Sequence, residues 1–167
     1  PGSDFLAETC VAWEAAASPA ATDRTRVALL RTGIVLERDG GALAKMLPPF
    51  RLWMGGPIGS GRQHMSWIHR TDWIRLLRWT LETDAASGPV NATAPSPVTN
   101  AEFSKALARA LGRPSWLPVP AGVLRVALGE MADALLLTGQ SVVPERAVEL
   151  GFAFRYSEVT AALDAIC

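Results

Sequence analysis

The stretch 50–63 holds side chains and glycines that suit contact with an anionic ligand. It contains four glycines and ends on Arg62 and Gln63. A guanidinium binds phosphate or carboxylate oxygens in a fork geometry, and an amide both donates and accepts hydrogen bonds. Long loops inside compact chains often carry function. One interpretation is that residues 55–63 form a loop that binds phosphate or sugar, with Arg62 as the partner of the anion. A connecting loop whose glycines only permit positive φ stays open as the alternative.

Three further side chains flank this loop and carry a charge or a titratable group. Lys45 and Arg51 precede it and face either a ligand pocket or only solvent. His69 follows it, directly before a predicted helix, and an imidazole titrates near neutral pH. A proton-transfer role for His69 therefore competes with a structural role in which the ring is hydrogen-bonded to backbone.

A long apolar segment, 26–36, precedes the loop and must position it. It is almost continuously apolar and partly β-branched, which predicts a strand covered on both faces in a parallel sheet. Thr32 and Gly33 lie toward its carboxyl end. Open α/β sheets bind ligands at that edge, so both residues are candidate site residues. Ordinary strand propensity at Thr32 and close packing at Gly33 are equally acceptable explanations.

Most of the other predicted elements are helices, with a short strand at 90–93. The clearest helix follows a capping box at Thr99 and Glu102, because a Ser or Thr three residues before Glu satisfies two free amides. We expect Asp4, Thr71 or Asp72, and Ser157 to cap other helices. Proline should end the helix that begins at position 42. The predicted helices are 5–17, 42–46, 73–81, 100–111, 118–128 with Pro118 and Pro120 at its start, 130–137, 144–150 and 158–166.

Composition limits the classes of function. Apolar residues make up 49% and charged residues 19% of the 167 residues, which is typical of a globular domain. The 16 basic and 16 acidic residues balance, so nothing predicts capture of nucleic acid or of an anionic membrane. Cys10 and Cys167 predict neither a disulfide framework nor, with two histidines, a metal site. We expect Cys10 to be buried, most of the six tryptophans to pack inside, and the chain to be cytoplasmic.

Taken together and in order, a set of short motifs resembles the epimerase-like branch of the extended short-chain dehydrogenase/reductase family. Each motif is weak alone, but their order and spacing are specific and cover essentially the whole chain. They are Arg31–Leu36, Gly40–Gly41, Lys45–Arg51, Gly55–Gln63, Trp67–His69, Asn91–Phe103, Leu111–Pro114, Gly139–Gln140, Pro144 and Gly151–Phe154.

The resemblance implies the C-terminal part of a Rossmann-type α/β protein, with remaining Rossmann elements at 1–95 and a mainly helical domain at 96–167. It implies NADP or NAD as cofactor and a small-molecule substrate, such as a nucleotide sugar. It places Thr32, Gly33 and Val35 near the nicotinamide. It also raises the expectation that the substrate contacts Lys45, Arg51, Arg62, Gln63 and His69.

Two departures from the family pattern bear on activity. The Gly-x-x-Gly-x-x-Gly turn, whose amides hold the pyrophosphate, does not occur in residues 1–167. By resemblance, the family's Tyr-x-x-x-Lys pair falls on Leu6 and Cys10, neither of which supplies the same chemistry. We therefore expect a chain that is inactive alone and lacks its dinucleotide-binding half. A non-catalytic binding or dimerisation module and a truncated product are the alternatives. Self-association or a missing N-terminal partner would cover the exposed sheet.

Overall fold

The computed structural model describes Gly2 and residues 4–167, and it shows a mixed α/β chain. Short strands are concentrated in the first 100 residues and helices dominate the remainder. The helices are α1 Phe5–Ala17, α2 Gly41–Arg51, α3 Arg70–Glu82, α4 Asn100–Ala110, α5 Ala121–Leu128, α6 Glu130–Ala132, α7 Glu145–Glu149 and α8 Val159–Ile166, with a π-helical turn at Asp133–Leu137. The strands are β1 Ala28–Thr32, β2 Ile34–Leu36, β3 His64–Met65, β4 Trp67–His69, β5 Gly88–Ala92 and β6 Val98–Thr99.

The predicted strand 26–36 is two strands that pair with different neighbours. β1 runs parallel to β5, with Ala28 opposite Gly88 and Thr32 opposite Ala92. β2 runs parallel to β4, and the short pair of β3 and β6 is antiparallel. The single continuous strand was therefore a wrong prediction, because an apolar run does not reveal a change of pairing partner within it.

Helix α2 runs to Arg51 and contains both prolines, so the prediction that it stops before Pro48 was wrong. Leu43, Leu47 and Phe50 recur at helical spacing and are almost fully buried. Burying such side chains stabilises by about 1.5–3 kcal/mol each, which is comparable to the cost of about 3 kcal/mol for each interior proline. Burial therefore decides where this helix ends.

Two buried apolar clusters hold the elements together. The larger one joins α2, α4 and α8 over β2 and β4, with the Trp67 and Phe103 side chains completely buried. The smaller one packs α3 against β4 and β5 and takes in Phe152. Residues on both sides of position 95 contribute to the larger cluster, and the proposed domain division at 95/96 stays a prediction.

The caps show where local signals were sufficient. The capping box of Thr99 and Glu102 is present in full at the start of α4, and Asp4 caps α1 as predicted. Helix α8 instead has Glu158 at its N-cap with no side-chain hydrogen bond, so Ser157 was wrong by one residue. Cys10 is exposed on α1, contrary to expectation, because none of the residues of that helix is buried.

Candidate functional site

The change of pairing partner at Gly33 organises the candidate site. The Gly33 amide donates to the Ala92 carbonyl of β5 at 3.1 Å, and the next amide, from Ile34, donates to the Ser66 carbonyl at 2.8 Å. A Cβ at position 33 would lie 2.6 Å from the Ser66 oxygen and 2.9 Å from the Thr93 methyl group. Only glycine fits where the three segments meet, so close packing requires a glycine at position 33.

The neighbouring predicted cofactor residues occupy different environments. Thr32 lies at the carboxyl edge of β1 with an exposed side chain, and its Oγ1 accepts a hydrogen bond from the Trp73 indole at 3.2 Å. Val35 is half-buried against the smaller apolar cluster. Of these two side chains, only that of Thr32 is open to solvent at the edge of the sheet.

An extended segment, 138–143, crosses the edge of the sheet and is tied to it by polar side chains. The Ser66 hydroxyl donates to the Gln140 carbonyl at 2.7 Å and accepts from the Val142 amide at 2.9 Å. Thr93 donates to the Val142 carbonyl at 3.3 Å, and Asn91 donates to the Val143 carbonyl at 3.0 Å. Sequence reasoning assigned no role to Ser66, Asn91 or Thr93. The sequence feature that could have indicated this role is the presence of polar residues just before β4 and at the end of β5.

The Gly-rich loop is fixed by packing. A Cβ at Gly55 would meet the Phe50 ring, and one at Gly56 would meet the Leu117 backbone, so both glycines allow close contact. The Gln63 amide donates to the carbonyls of Ile58 and Leu136, at 2.9 and 3.0 Å. Gly55 and Gly56 therefore allow the loop to pack closely against neighbouring segments.

The predicted cations of the site lie on the surface. Lys45, Arg51 and Arg62 are all exposed. Among the described residues, no hydrogen bond or ion pair joins any of them to Thr32, Gly33 or Val35. Their role as anion partners stays a prediction.

His69 is a predicted site residue that lines a cleft. Its Nδ1 accepts from the Thr71 amide at 3.0 Å, which makes His69 the N-cap of α3 in place of Thr71 or Asp72. Its ring stacks on Tyr156 with the centroids 4.0 Å apart. Burial lowers the pKa of His69 below its ordinary value of 6.5, and the Asp72 carboxylate opposes part of that shift. The structural role proposed for His69 is therefore present.

The cleft beside His69 has a volume of about 240 Å³ and lies at the carboxyl ends of β2 and β4. Glu37 and Arg70, which form an ion pair, contribute to its wall together with the end of α8. A larger hollow, about 370 Å³, lies at the amino ends of β1 and β5, opposite to Thr32. Neither hollow contains Thr32, Gly33 or Arg62.

Asp72 fixes the C-terminal part of the chain to α3. Its side chain is completely buried, and its carboxylate accepts from the amides of Arg155 and Tyr156 at 2.8–3.0 Å. The Arg75 guanidinium donates to the same carboxylate at 2.7 Å. This arrangement holds the Tyr156 ring on His69. Sequence reasoning assigned Asp72 as a helix cap and missed this role, because the partner lies more than 80 positions away.

The fold defines a class of protein, a mixed α/β chain whose parallel strand pairs and following helices match the C-terminal part of a Rossmann-type protein. The family model "Domain of unknown function (DUF1731)" matches residues 119–166. The epimerase family protein SDR39U1 homolog of Arabidopsis thaliana, described as chloroplastic, is 50% identical over 99% of this chain and 47% of its own length. The human epimerase family protein SDR39U1 is 44% identical over 99% of this chain and 57% of its own length.

Solved structures agree with the sequence relatives. The human epimerase family protein SDR39U1 with NADPH matches 98% of this chain and 55% of its own chain, with a TM-score of 0.92 and 42% identity. A nucleoside-diphosphate sugar epimerase from Corynebacterium glutamicum matches 99% of this chain and 31% of its own, with a TM-score of 0.75 and 34% identity.

These findings confirm the resemblance to the epimerase-like branch of the extended short-chain dehydrogenase/reductase family. This chain corresponds to the C-terminal portion of its relatives. It spans about half the length of the curated relatives it matches. Among the described residues, none of the helices combines the length and the apolar character that crossing a membrane requires.

Proposed function

We propose that this chain forms the substrate side of an NAD(P)-dependent protein that acts as a nucleotide-sugar epimerase or a related oxidoreductase, and that it is inactive alone. One observation carries the proposal. The chain changes its pairing partner at Gly33, so Thr32 and Gly33 lie at the carboxyl edge of a parallel strand pair, where α/β proteins bind ligands. The similarity to a human protein solved with NADPH supports NADP or NAD as the cofactor of the intact protein.

In this proposal, Thr32, Gly33 and Val35 form the cofactor-facing part. Gly33 contributes through its backbone, because any side chain there would strike the Ser66 carbonyl. Thr32 contributes an exposed hydroxyl, which already accepts from Trp73 and is free to donate its own proton. The half-buried Val35 holds the strand against the smaller apolar cluster.

Lys45, Arg51, Arg62, Gln63 and His69 form the proposed substrate-facing part. The exposure of the three cationic side chains supports contact with the phosphates of a nucleotide sugar. Gln63 uses its amide nitrogen inside the protein, so a substrate would meet its carbonyl oxygen. His69 would act through Nε2, because its Nδ1 caps α3.

Proton transfer in this family type needs a positioned donor, and the matching positions here hold Leu6 and Cys10. Both lie on the outside of α1, one turn apart, and Leu6 is 47% exposed. A leucine side chain transfers no proton. Without a matching pair and without a pyrophosphate-binding turn in residues 1–167, the chain alone should bind no cofactor measurably.

Calorimetric titration of the 167-residue chain with NADPH tests this proposal. We expect no binding heat for the chain alone and micromolar binding after the N-terminal portion of a relative is added as a separate polypeptide. Micromolar binding by the chain alone would show that its own residues suffice. If cofactor binding fails even with the added portion, the assignment to the substrate side is wrong.

The alternative function is a non-catalytic binding or dimerisation module, and α1 is the observation that favours it. None of its residues is buried, and Phe5 and Trp13 are 79% and 71% exposed. Covering several hundred Å² of apolar surface at about 25 cal/mol per Å² would stabilise by many kcal/mol, so we expect self-association or a partner. Analytical ultracentrifugation tests this, and a monomer that melts cooperatively would contradict it.

The domain division and the location in the cell belong to the same proposal. The division into 1–95 and 96–167 predicts that limited proteolysis cuts first near position 95. The free thiols of Cys10 and Cys167 support a reducing compartment such as the cytoplasm. A plant relative is described as chloroplastic, so imaging of a tagged full-length chain is the appropriate test.

A further inference from the structure

An exposed apolar surface lies next to Gly55 and Gly56, and it contains none of the proposed cofactor and substrate residues. Leu52, Trp53 and Met54 follow α2, and Trp116 and Leu117 follow α4. Their side chains are 64%, 56%, 50%, 65% and 41% exposed. We call these five residues the Trp53–Trp116 surface. Contiguous exposed apolar patches are uncommon on soluble monomers and mark sites of interaction.

Hydrogen bonds hold the two halves of the Trp53–Trp116 surface together. The Gly55 carbonyl accepts from the amides of Trp116 and Leu117 at 3.1 and 3.2 Å. The Trp116 indole donates to the Trp53 carbonyl at 3.0 Å. These bonds fix the two segments that carry the indoles relative to each other, which lowers the entropy lost on binding.

Trp53 occupies a backbone position where glycine is the usual residue. Its φ is 64°, and it is the only non-glycine residue with positive φ among those described. It ends α2 in a Schellman arrangement, with the Met54 amide donating to the Pro49 carbonyl at 2.9 Å. Glycine would satisfy this turn without strain, so a bulky exposed indole is not explained by the turn itself.

Arg113 gives the Trp53–Trp116 surface a cation with unused donors. Its guanidinium lies over the Trp53 ring, 4.8 Å from the centroid, and donates to the Gly112 carbonyl at 3.2 Å. Among the described residues, its Nε and the Ser115 hydroxyl are buried without a hydrogen-bond partner. A docking partner cannot reach these two buried atoms, but Arg113 as a whole is only half-buried, so part of its side chain stays accessible beside the Trp53 ring.

The two segments that supply this surface are basic in sequence, although the chain as a whole is neutral. Residues 40–71 and 103–129, which supply the whole surface, contain neither Asp nor Glu. Three of their eight basic residues pair with acids from elsewhere in the chain. The basic residues are Lys45, Arg51, Arg62, Arg70, Lys105, Arg109, Arg113 and Arg125.

We propose that the Trp53–Trp116 surface binds a segment of a partner protein that carries apolar side chains flanked by carboxylates. Trp and Arg are the residues that contribute most to protein interfaces. The surface is open, and both hollows described above lie elsewhere, whereas small ligands prefer concave pockets. In this interface the indoles receive the apolar side chains, and Arg113 receives a carboxylate. The proposal is independent of cofactor or substrate binding.

The test uses a short fluorescein-labelled peptide of alternating glutamate, phenylalanine and leucine, and fluorescence anisotropy with the 167-residue chain. A second peptide has lysine in place of each glutamate. We expect the acidic peptide to bind and the basic one to bind at least about tenfold more weakly. Equal binding of both peptides, or no binding of either at about millimolar chain, would overturn the proposal.

Variants separate binding from folding. Trp53→Gly should weaken binding of the acidic peptide about tenfold. The thermal midpoint of this variant should stay equal or rise, because glycine suits a φ of 64°. Arg113→Gln should weaken binding of the acidic peptide and make that binding less dependent on salt concentration. Trp13→Ala removes a similarly exposed indole on α1 and should leave binding unchanged. Full affinity in Trp53→Gly, or displacement of the peptide by micromolar ATP, would show that this surface is not the protein-binding site proposed.

Discussion

Replacing Gly33 by alanine should damage the junction on which the proposed site depends. The new Cβ would lie 2.6 Å from the Ser66 carbonyl oxygen and 2.9 Å from the Thr93 methyl group. The oxygen belongs to the backbone, so it cannot rotate away as a flexible side chain would. One of the two parallel strand pairs must therefore shift.

The expected cost follows from the contacts at stake. Overpacking at a rigid site costs about 1–3 kcal/mol. The amides of Gly33 and Ile34 donate to β5 and to Ser66, and weakening these two hydrogen bonds adds about 0.5–1.5 kcal/mol each. We therefore expect Gly33→Ala to lower the free energy of unfolding by about 2–6 kcal/mol.

Urea denaturation of Gly33→Ala, followed by circular dichroism, measures this difference. Gly122→Ala is the matched control, since position 122 lies in α5 and a Cβ there meets nothing within 4 Å. We expect the control to change stability by no more than about 1 kcal/mol, in the stabilising direction. If Gly33→Ala and Gly122→Ala have the same free energy of unfolding, close packing does not fix the junction.

Three further predictions concern other buried and capping residues. Asp72→Ala should lower the free energy of unfolding by about 3–5 kcal/mol in urea titrations, since it leaves the Arg155 and Tyr156 amides without an acceptor and Arg75 without its partner, whereas Arg75→Ala keeps both amide hydrogen bonds and should cost less. Thr99→Ala should cost about 1 kcal/mol by the same measurement through loss of the capping box, and no loss would contradict that role. Burial lowers the pKa of His69, so the unfolded chain takes up this proton more readily. The His69 contribution to stability should therefore be present above pH 6.5 and be lost as pH falls through the folded-state pKa. His69→Asn keeps a capping acceptor, and denaturation at a series of pH values should show that this dependence is gone.

The sequence alone determined the features that depend on near neighbours. The Thr99–Glu102 capping box, the Asp4 cap and the helical character of 130–137 were predicted and are present. Each depends on residues within one or two helical turns, so local propensity and spacing are sufficient. The ordered motifs also gave the family resemblance, which the comparisons confirm.

Tertiary structure decided the features that depend on distant partners. Whether 26–36 is one strand or two depends on which segments pair with it, and those lie about 33 and 60 residues further on. Asp72 is read locally as a helix cap, but its buried carboxylate meets amides at 155 and 156. The packing role of Gly33 likewise depends on Ser66 and Thr93. A single sequence specifies the types of residue that can make such contacts, whereas the packed chain determines which of them meet.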